Sequence, residues 1–335
     1  MDGYKKISPT GRFLINIVLV IILIVGGSLL TGGDSLSRAS RALILQIGIY
    51  IILAVSLNIA TGYLGQLPLG HAGFMAVGAY SAALFWKATL DMPTPISIVL
   101  GLIFAGIVAA IFGVIIGIPA LRLKGDYLAI ITLGFGEIIQ IAIINLSGLT
   151  GGTPGLLNIP KYSTFLVVFL CVVATIAAIH FIMHSRHGRA TLSIRENEIA
   201  ADSCGVNLTY YKVLAFALSA FFAGIAGALY AGFQGSLFPK SFDFMASINI
   251  LVMVVLGGMG SMLGSVIAAT VLTALPLVLQ TLAAYRMVIY SILLIIVMIF
   301  KPSGLLGRYD FSLPTLIEKF MNRRRKPGKE EPANE

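Results

Sequence analysis

The sequence predicts an all-α polytopic membrane protein with about eight to ten transmembrane helices, and three observations predict it. Of its 335 residues, 58% are hydrophobic and only 11% charged, against roughly 45–50% and about 25% in soluble domains. The apolar residues gather into runs near the ~20 residues that an α-helix needs to cross a bilayer. Two of these runs break at clustered glycines and then resume, and a lipid-exposed helix does not tolerate such a break.

The runs fall at 13–30, 42–60, 70–86, 96–119, 127–146, 164–183, 212–233, 245–256, 264–281 and 286–300. The start, MDGYKKISPTGRF, gives the first a basic flank, but no small-residue cleavage site follows, so 13–30 reads as a span and not as a removable signal. The second runs into TGYLGQLPLG, and the third emerges from it. Gly62, Gly65, Pro68 and Gly70 cannot carry an unbroken helical ladder, so this block is either a short turn outside the membrane or a re-entrant element. Three continuous apolar runs follow, and then the longest charged connection, HSRHGRATLSIRENEIAADSCGVNLTYY. In it, 190–201 suits a short helix that Gly205 and Asn207 stop, either projecting towards a partner or lying on the membrane surface. Segment 245–256 is too short to cross alone and enters the second glycine cluster, GGMGSMLG. Residues 1–310 are thus expected to form one transmembrane domain with a cytoplasmic loop at 184–211. The basic tail 311–335 ends in RRRKPGKEEPANE, a composition expected to be disordered.

Counted on alternate sides, Lys5, Lys6, Arg12, Arg122, Lys124, Arg186, Arg189, Arg195, Lys212 and the basic residues from Lys301 onward share one side. Arg38, Arg41, Lys87, Lys161, Lys240 and Arg286 fall on the other. The positive-inside rule places both termini in the cytoplasm, with Arg38 and Arg41 dissenting. The net charge of +9 is thereby accounted for by the bilayer and cytoplasmic surroundings, without a nucleic-acid partner. Cys171 lies in an apolar run and Cys204 in the charged loop, so no disulfide framework is implied.

The two glycine clusters suggest an internal repeat. Ser56-Leu-Asn58-Ile before the first is echoed by Ser247-Ile-Asn249-Ile before the second. Paired glycine-interrupted segments in two halves point to a transport path at the repeat interface. The residues singled out for that path are Asn58, Gly62, Gly65, Gln66, Gly70, His71, Glu137, Gly257, Gly258, Gly260, Ser261 and Gly264. Glu137 stands about ten residues into a span, where an ionised carboxylate costs a few kcal/mol. It is therefore neutral, paired or facing water, and it either ties helices together or serves the path. For Asn58 and His71, hydrogen bonding between helices competes with a path role. The loop SGLTGGTPG at 147–155 either meets a partner or closes the path.

The stretch RHGRATLSIRENEIAADSCGVNLTYYKVLAFALSAFFAGIAGALYAG resembles the M-type permease subunits of branched-chain amino acid ABC importers, the LIV family. So do TGYLGQLPLGHAGFMAVGAY, RLKGDYLAIITLGFGEII, LTGGTPGLLNIP, VLGGMGSMLGSVIAA and YRMVIYSILLIIVMIFKPSGLLG, in family order over most of the chain. The resemblance implies an ABC importer permease in a bacterial or archaeal inner membrane. It implies as partners a second homologous permease, two ATPase subunits and a periplasmic binding protein. It also implies that Ala200, Ala201 and Gly205, with Arg195, Glu196 and Glu198 beside them, belong to the loop that docks on an ATPase. The general pattern of ABC importers has Glu directly before the two alanines, whereas this chain has Ile199 there and Glu198 one position earlier.

No G-x-x-x-x-G-K-[ST] motif occurs, so the resemblance implies no cofactor on this chain and leaves ATP and Mg to the partner ATPases. His180, His184 and His187 lack metal-site character. The expectation is a transport subunit rather than an enzyme, in which ATP-driven movement of 194–205 opens the glycine-broken segments alternately. A permease for urea, amides or other amino acids, an ion-coupled carrier and a membrane scaffold are the rival readings.

Overall fold

A computed structural model describes residues 37–123 and 125–278, together with the single positions 291, 292, 295 and 299. The span expected at 13–30, nearly all of that at 286–300 and the tail 311–335 lie outside the described residues. Within them the chain is helical, with one isolated antiparallel bridge between Leu156 and Leu237.

Helix α1 (Arg38–Asn58) starts at Ser37, whose hydroxyl accepts from the Ser40 amide, and ends in a π-turn, Ile59–Tyr63. It is followed by α2 (His71–Ala88), α3 (Thr94–Ala120), α4 (Asp126–Asn145), the single turn α5 (Ser147–Thr150) and α6 (Phe165–His184). The charged connection holds α7 (Arg186–Glu196) and α8 (Glu198–Ser203), and α9 (Leu208–Gln234) returns. A 3₁₀ turn, Pro239–Phe242, leads into α10 (Phe244–Gly257), and α11 (Met262–Val278) follows. The eight spans expected between 42 and 281 each correspond to a helix as far as residue 278, and among the described residues six segments are long and apolar enough to cross a membrane. Segment 245–256 reaches that length only with its 3₁₀ turn, as Pro239–Gly257.

The core forms where α9 packs against α1, α2 and α3, and small residues set the spacing. A Cβ on Gly227 would overlap the Met75 carbonyl oxygen, and one on Gly224 would stand 2.7 Å from the Ala105 carbonyl oxygen. Such close backbone approach substitutes for the hydrophobic drive that lipid removes between helices. Polar pins fix the register: Ser219 Oγ donates to Ser56 O at 2.8 Å, and Trp86 Nε1 donates to Ser97 O at 3.0 Å. The outer face of α3, with Ile96, Val99, Ile103, Ile107 and Ile111 exposed, carries only apolar groups at these positions and suits contact with acyl chains. The glycine-rich loop after α5 is stapled to the end of α9: Leu156 and Leu237 exchange two 2.9 Å backbone hydrogen bonds, and Ile159 N donates to Gly235 O at 3.0 Å.

Candidate functional site

At the end of α1 the hydrogen-bond ladder loosens one step at a time. Leu64 N reaches back five residues to Ile59 O at 3.1 Å, and Gln66 N reaches six to Ala60 O at 2.9 Å. The chain then turns back in extended form along α4, where Leu69 N donates to Thr132 Oγ1 at 3.0 Å and Gly70 lies flat on the Thr132 carbonyl. Helix α2 restarts beside Ser56, whose hydroxyl meets His71 Nε2 at 2.9 Å. Segment 64–70 has therefore climbed back about two helical turns, or roughly 10 Å. The chain thus doubles back alongside the end of α1, and His71 serves contact between α1 and α2.

The second block is a tight loop. Gly258 (φ 103°) and Gly260 (φ 90°) take conformations that side chains resist, and Gly257 and Gly264 press backbone to backbone. Ser261 caps α11 by accepting from Gly264 N at 3.1 Å. Between the blocks stands Asn58, fully buried. Its Nδ2 donates to Ser261 O at 3.1 Å, while its Oδ1 accepts from Gly260 N at 2.9 Å. Gly62 completes the contact, since a Cβ there would overlap both Asn58 Oδ1 and Gly260 N. The two glycine blocks thus form one closed junction.

Helices α7 and α8 lie beside this junction. Asn197 separates them by one residue and caps α8, accepting from Ala200 N at 3.0 Å. Lys212, at the base of α9 and 4% exposed, holds Glu198 in a 2.5 Å ion pair. Ala201 is buried, whereas Glu196, Ala200 and Gly205 are exposed and Ile199 stands 78% exposed at the tip. Helix α8 ends in a Schellman motif, with Val206 N donating to Ala201 O at 3.1 Å and Gly205 N to Asp202 O at 2.8 Å, around Gly205 at φ 82°. Arg195, which the sequence places in the docking loop, turns inward: its Nη1 donates to Gly62 O at 2.5 Å.

Residues 41–300 match the family described as "Branched-chain amino acid transport system / permease component". The chain belongs to this permease family. It is 38% identical over 312 residues to the high-affinity branched-chain amino acid transport system permease protein LivM of Salmonella typhimurium, covering 81% of this chain and 70% of that protein. LivM of Escherichia coli is 37% identical over 300 residues, 77% of this chain and 68% of the relative. The permease LivH of Salmonella typhimurium is 28% identical over 282 residues, 77% of this chain and 91% of its own length. The chain is accordingly a multi-pass membrane protein of a transport permease family.

In this permease the acidic residue before the alanines has a defined structural partner. Glu198 faces Lys212, so the position that projects freely is apolar, Ile199. The sequence echo holds in part: Ser56 and Ser247 both meet the start of α2, Ser247 Oγ accepting from Ala72 N at 3.0 Å. It fails at the asparagines, because Asn58 is buried in the junction while Asn249 is exposed. Glu137 borders a shallow groove with Asp243, Phe244, Leu133 and Ser247, and makes no hydrogen bond or ion pair among the described residues. Gln66 Oε1 is buried without a hydrogen-bond partner among them. Sequence reading missed Thr132, Ser219 and Lys212 as pins. A lysine opening an apolar run was the available signal for Lys212, but it was counted only as a marker of sidedness.

Proposed function

We propose that this chain is the membrane subunit of an ATP-driven importer and forms, with a second homologous permease, the path for branched-chain amino acids delivered by a periplasmic binding protein. Two partner ATPase subunits use ATP and Mg, and this chain binds no cofactor. It sits in the inner membrane with both termini in the cytoplasm, residues 1–310 forming the membrane domain and 311–335 a tail. The loop 184–211 meets an ATPase through Ile199, Ala200, Glu196 and Gly205, with Glu198, Ala201 and Arg195 supporting it from within. Asn58, Gly62, Gly65, Gln66, Gly70, His71, Gly257, Gly258, Gly260, Ser261 and Gly264 build the gate, and Glu137 faces the water-filled part of the path.

The observation that carries this reading is the junction itself. Two glycine-broken segments distant in sequence close on one amide side chain, Asn58, which reaches 203 positions to Ser261, directly beside the charged loop. Irregular backbone at membrane depth is stable only against protein or water, and here two such stretches are stacked where a loop helix reaches them. A carboxylate near mid-span with no partner among the described residues, Glu137, adds a second reason for water on that side.

The test is reconstitution of the complete importer in proteoliposomes, followed by uptake of labelled leucine, isoleucine and valine. Uptake that requires ATP and the binding protein, and that urea, amides or other amino acids fail to compete, is expected. Uptake by this chain alone on an ion gradient overturns the reading.

A further inference from the structure

The last turn of α7 sends Arg195 away from solvent and towards the end of α1, leaving its side chain 21% exposed. The acceptor, Gly62 O, lies where the helical ladder has opened, among the carbonyls that carry the negative end of the helix dipole. The other edge of the same guanidinium is held by Glu196 Oε1, at 3.2 Å from Nε and 2.7 Å from Nη2. Two glycines make room for the side chain: a Cβ on Gly65 would stand 2.8 Å from Arg195 Cγ, and one on Gly260 would stand 3.2 Å from Nη1. Arg195 therefore belongs to the loop helices but touches both glycine blocks. Because Asn197 alone separates α7 from α8, a displacement at the tip of α8 has little slack to absorb it before it reaches Arg195.

We propose that Arg195 is the positioning residue that ties the loop helices to the gate: its bond to Gly62 O keeps the two blocks closed, and transport requires loop movement to withdraw it. This rests on the reading of the chain as an ATP-driven permease. A hydrogen bond from a charged donor is strong enough that its removal shifts the closed-to-open ratio by about ten- to a hundredfold. Lysine keeps the charge but lacks the planar fork that bonds Gly62 on one edge and Glu196 on the other, so it replaces arginine only in part.

The experiment uses the complete importer in proteoliposomes, with Cys171→Ala and Cys204→Ser removing the native thiols and Thr61→Cys as reporter in the π-turn, where residue 61 is 3% exposed. Two quantities are read: the rate of labelling by a water-soluble maleimide without nucleotide, and the stimulation of ATP hydrolysis by loaded binding protein. Arg195→Ala is expected to raise labelling by about tenfold or more and to abolish the stimulation while hydrolysis itself continues, with Arg195→Lys in between. Unchanged labelling in Arg195→Ala overturns the proposal, even if uptake is lost, because structural damage without gate release gives that pattern. If Arg195→Ala does not assemble, Arg195→Lys decides, and labelling equal to that of the Arg195 protein overturns it. Should the Arg195 protein itself show no ATP-driven uptake, the permease reading fails, whereas the labelling comparison still reports on the tie.

Discussion

The two glycine blocks look alike in sequence but hold their shape by different means. The second is held largely by its own bonds, to which Asn58 adds those at Gly260 N and Ser261 O: Ser261 N bonds Gly258 O at 3.0 Å, the Ser261 hydroxyl caps the next helix, and Gly257 closes on Gly264. The first borrows its shape from elsewhere, from Thr132 on α4, from Arg195 on α7 and, through Asn58, from the second block itself. A segment held by contacts distant in sequence moves when those contacts move, whereas a locally bonded turn keeps its form. The first block is thus suited to be the moving part and the second the seat against which it closes.

The harshest way to break that comparison is Gly62→Val. Any side chain at 62 overlaps the Gly260 amide and stands 2.6 Å from its Cα, and backbone has little room to yield. A loss of at least about 3 kcal/mol is expected, at the upper end of overpacking effects, together with loss of uptake. Both are measured on purified protein, by thermal denaturation in detergent and by reconstituted transport. A stable, active Gly62→Val protein would mean that the blocks are not in contact in the working molecule. A milder pair of changes probes the asymmetry. Asn58→Ala strips the partner from Gly260 N and is expected to cost about 1–3 kcal/mol. The change Asn249→Ala at the exposed echo position is expected to fall within about 0.5 kcal/mol. Equal effects at the two asparagines would restore the symmetric repeat that the geometry denies.

The helices were legible because lipid imposes one rule on every span: continuous apolar residues with the backbone satisfied internally. Runs such as 42–60 and 164–183 therefore sit within a few residues of α1 and α6. The blocks were legible for a related reason, since Gly62, Gly65 and Gly260 mark places where a side chain does not fit. What the sequence withheld is pairing across distance. Nothing near Arg195 says that its acceptor is Gly62, 133 positions away, and a lysine such as Lys212 counts as charge until the fold brings Glu198 to it. The serine and asparagine echo was real as sequence but blind to rotation about the helix axis, which buries Asn58 and exposes Asn249.

A change that adds no packing cost gives the cleanest functional test. Gly205 has φ 82°, and a Cβ placed on it meets nothing within 4 Å. Gly205→Leu is therefore expected to cost only the left-handed backbone penalty, about 1–2 kcal/mol at an exposed helix end, with no packing term. The Glu198–Lys212 pair and the buried Ala201 hold the rest of α8 in place, so the protein should insert and melt close to its parent. If the tip of α8 is where an ATPase sits, the new side chain obstructs that partner and not this chain. Co-purification of the ATPase and uptake should then fall together, by far more than the stability change accounts for. Undiminished uptake and ATPase recovery in Gly205→Leu would remove the docking role from this tip, and the moving first block would then need another source of force.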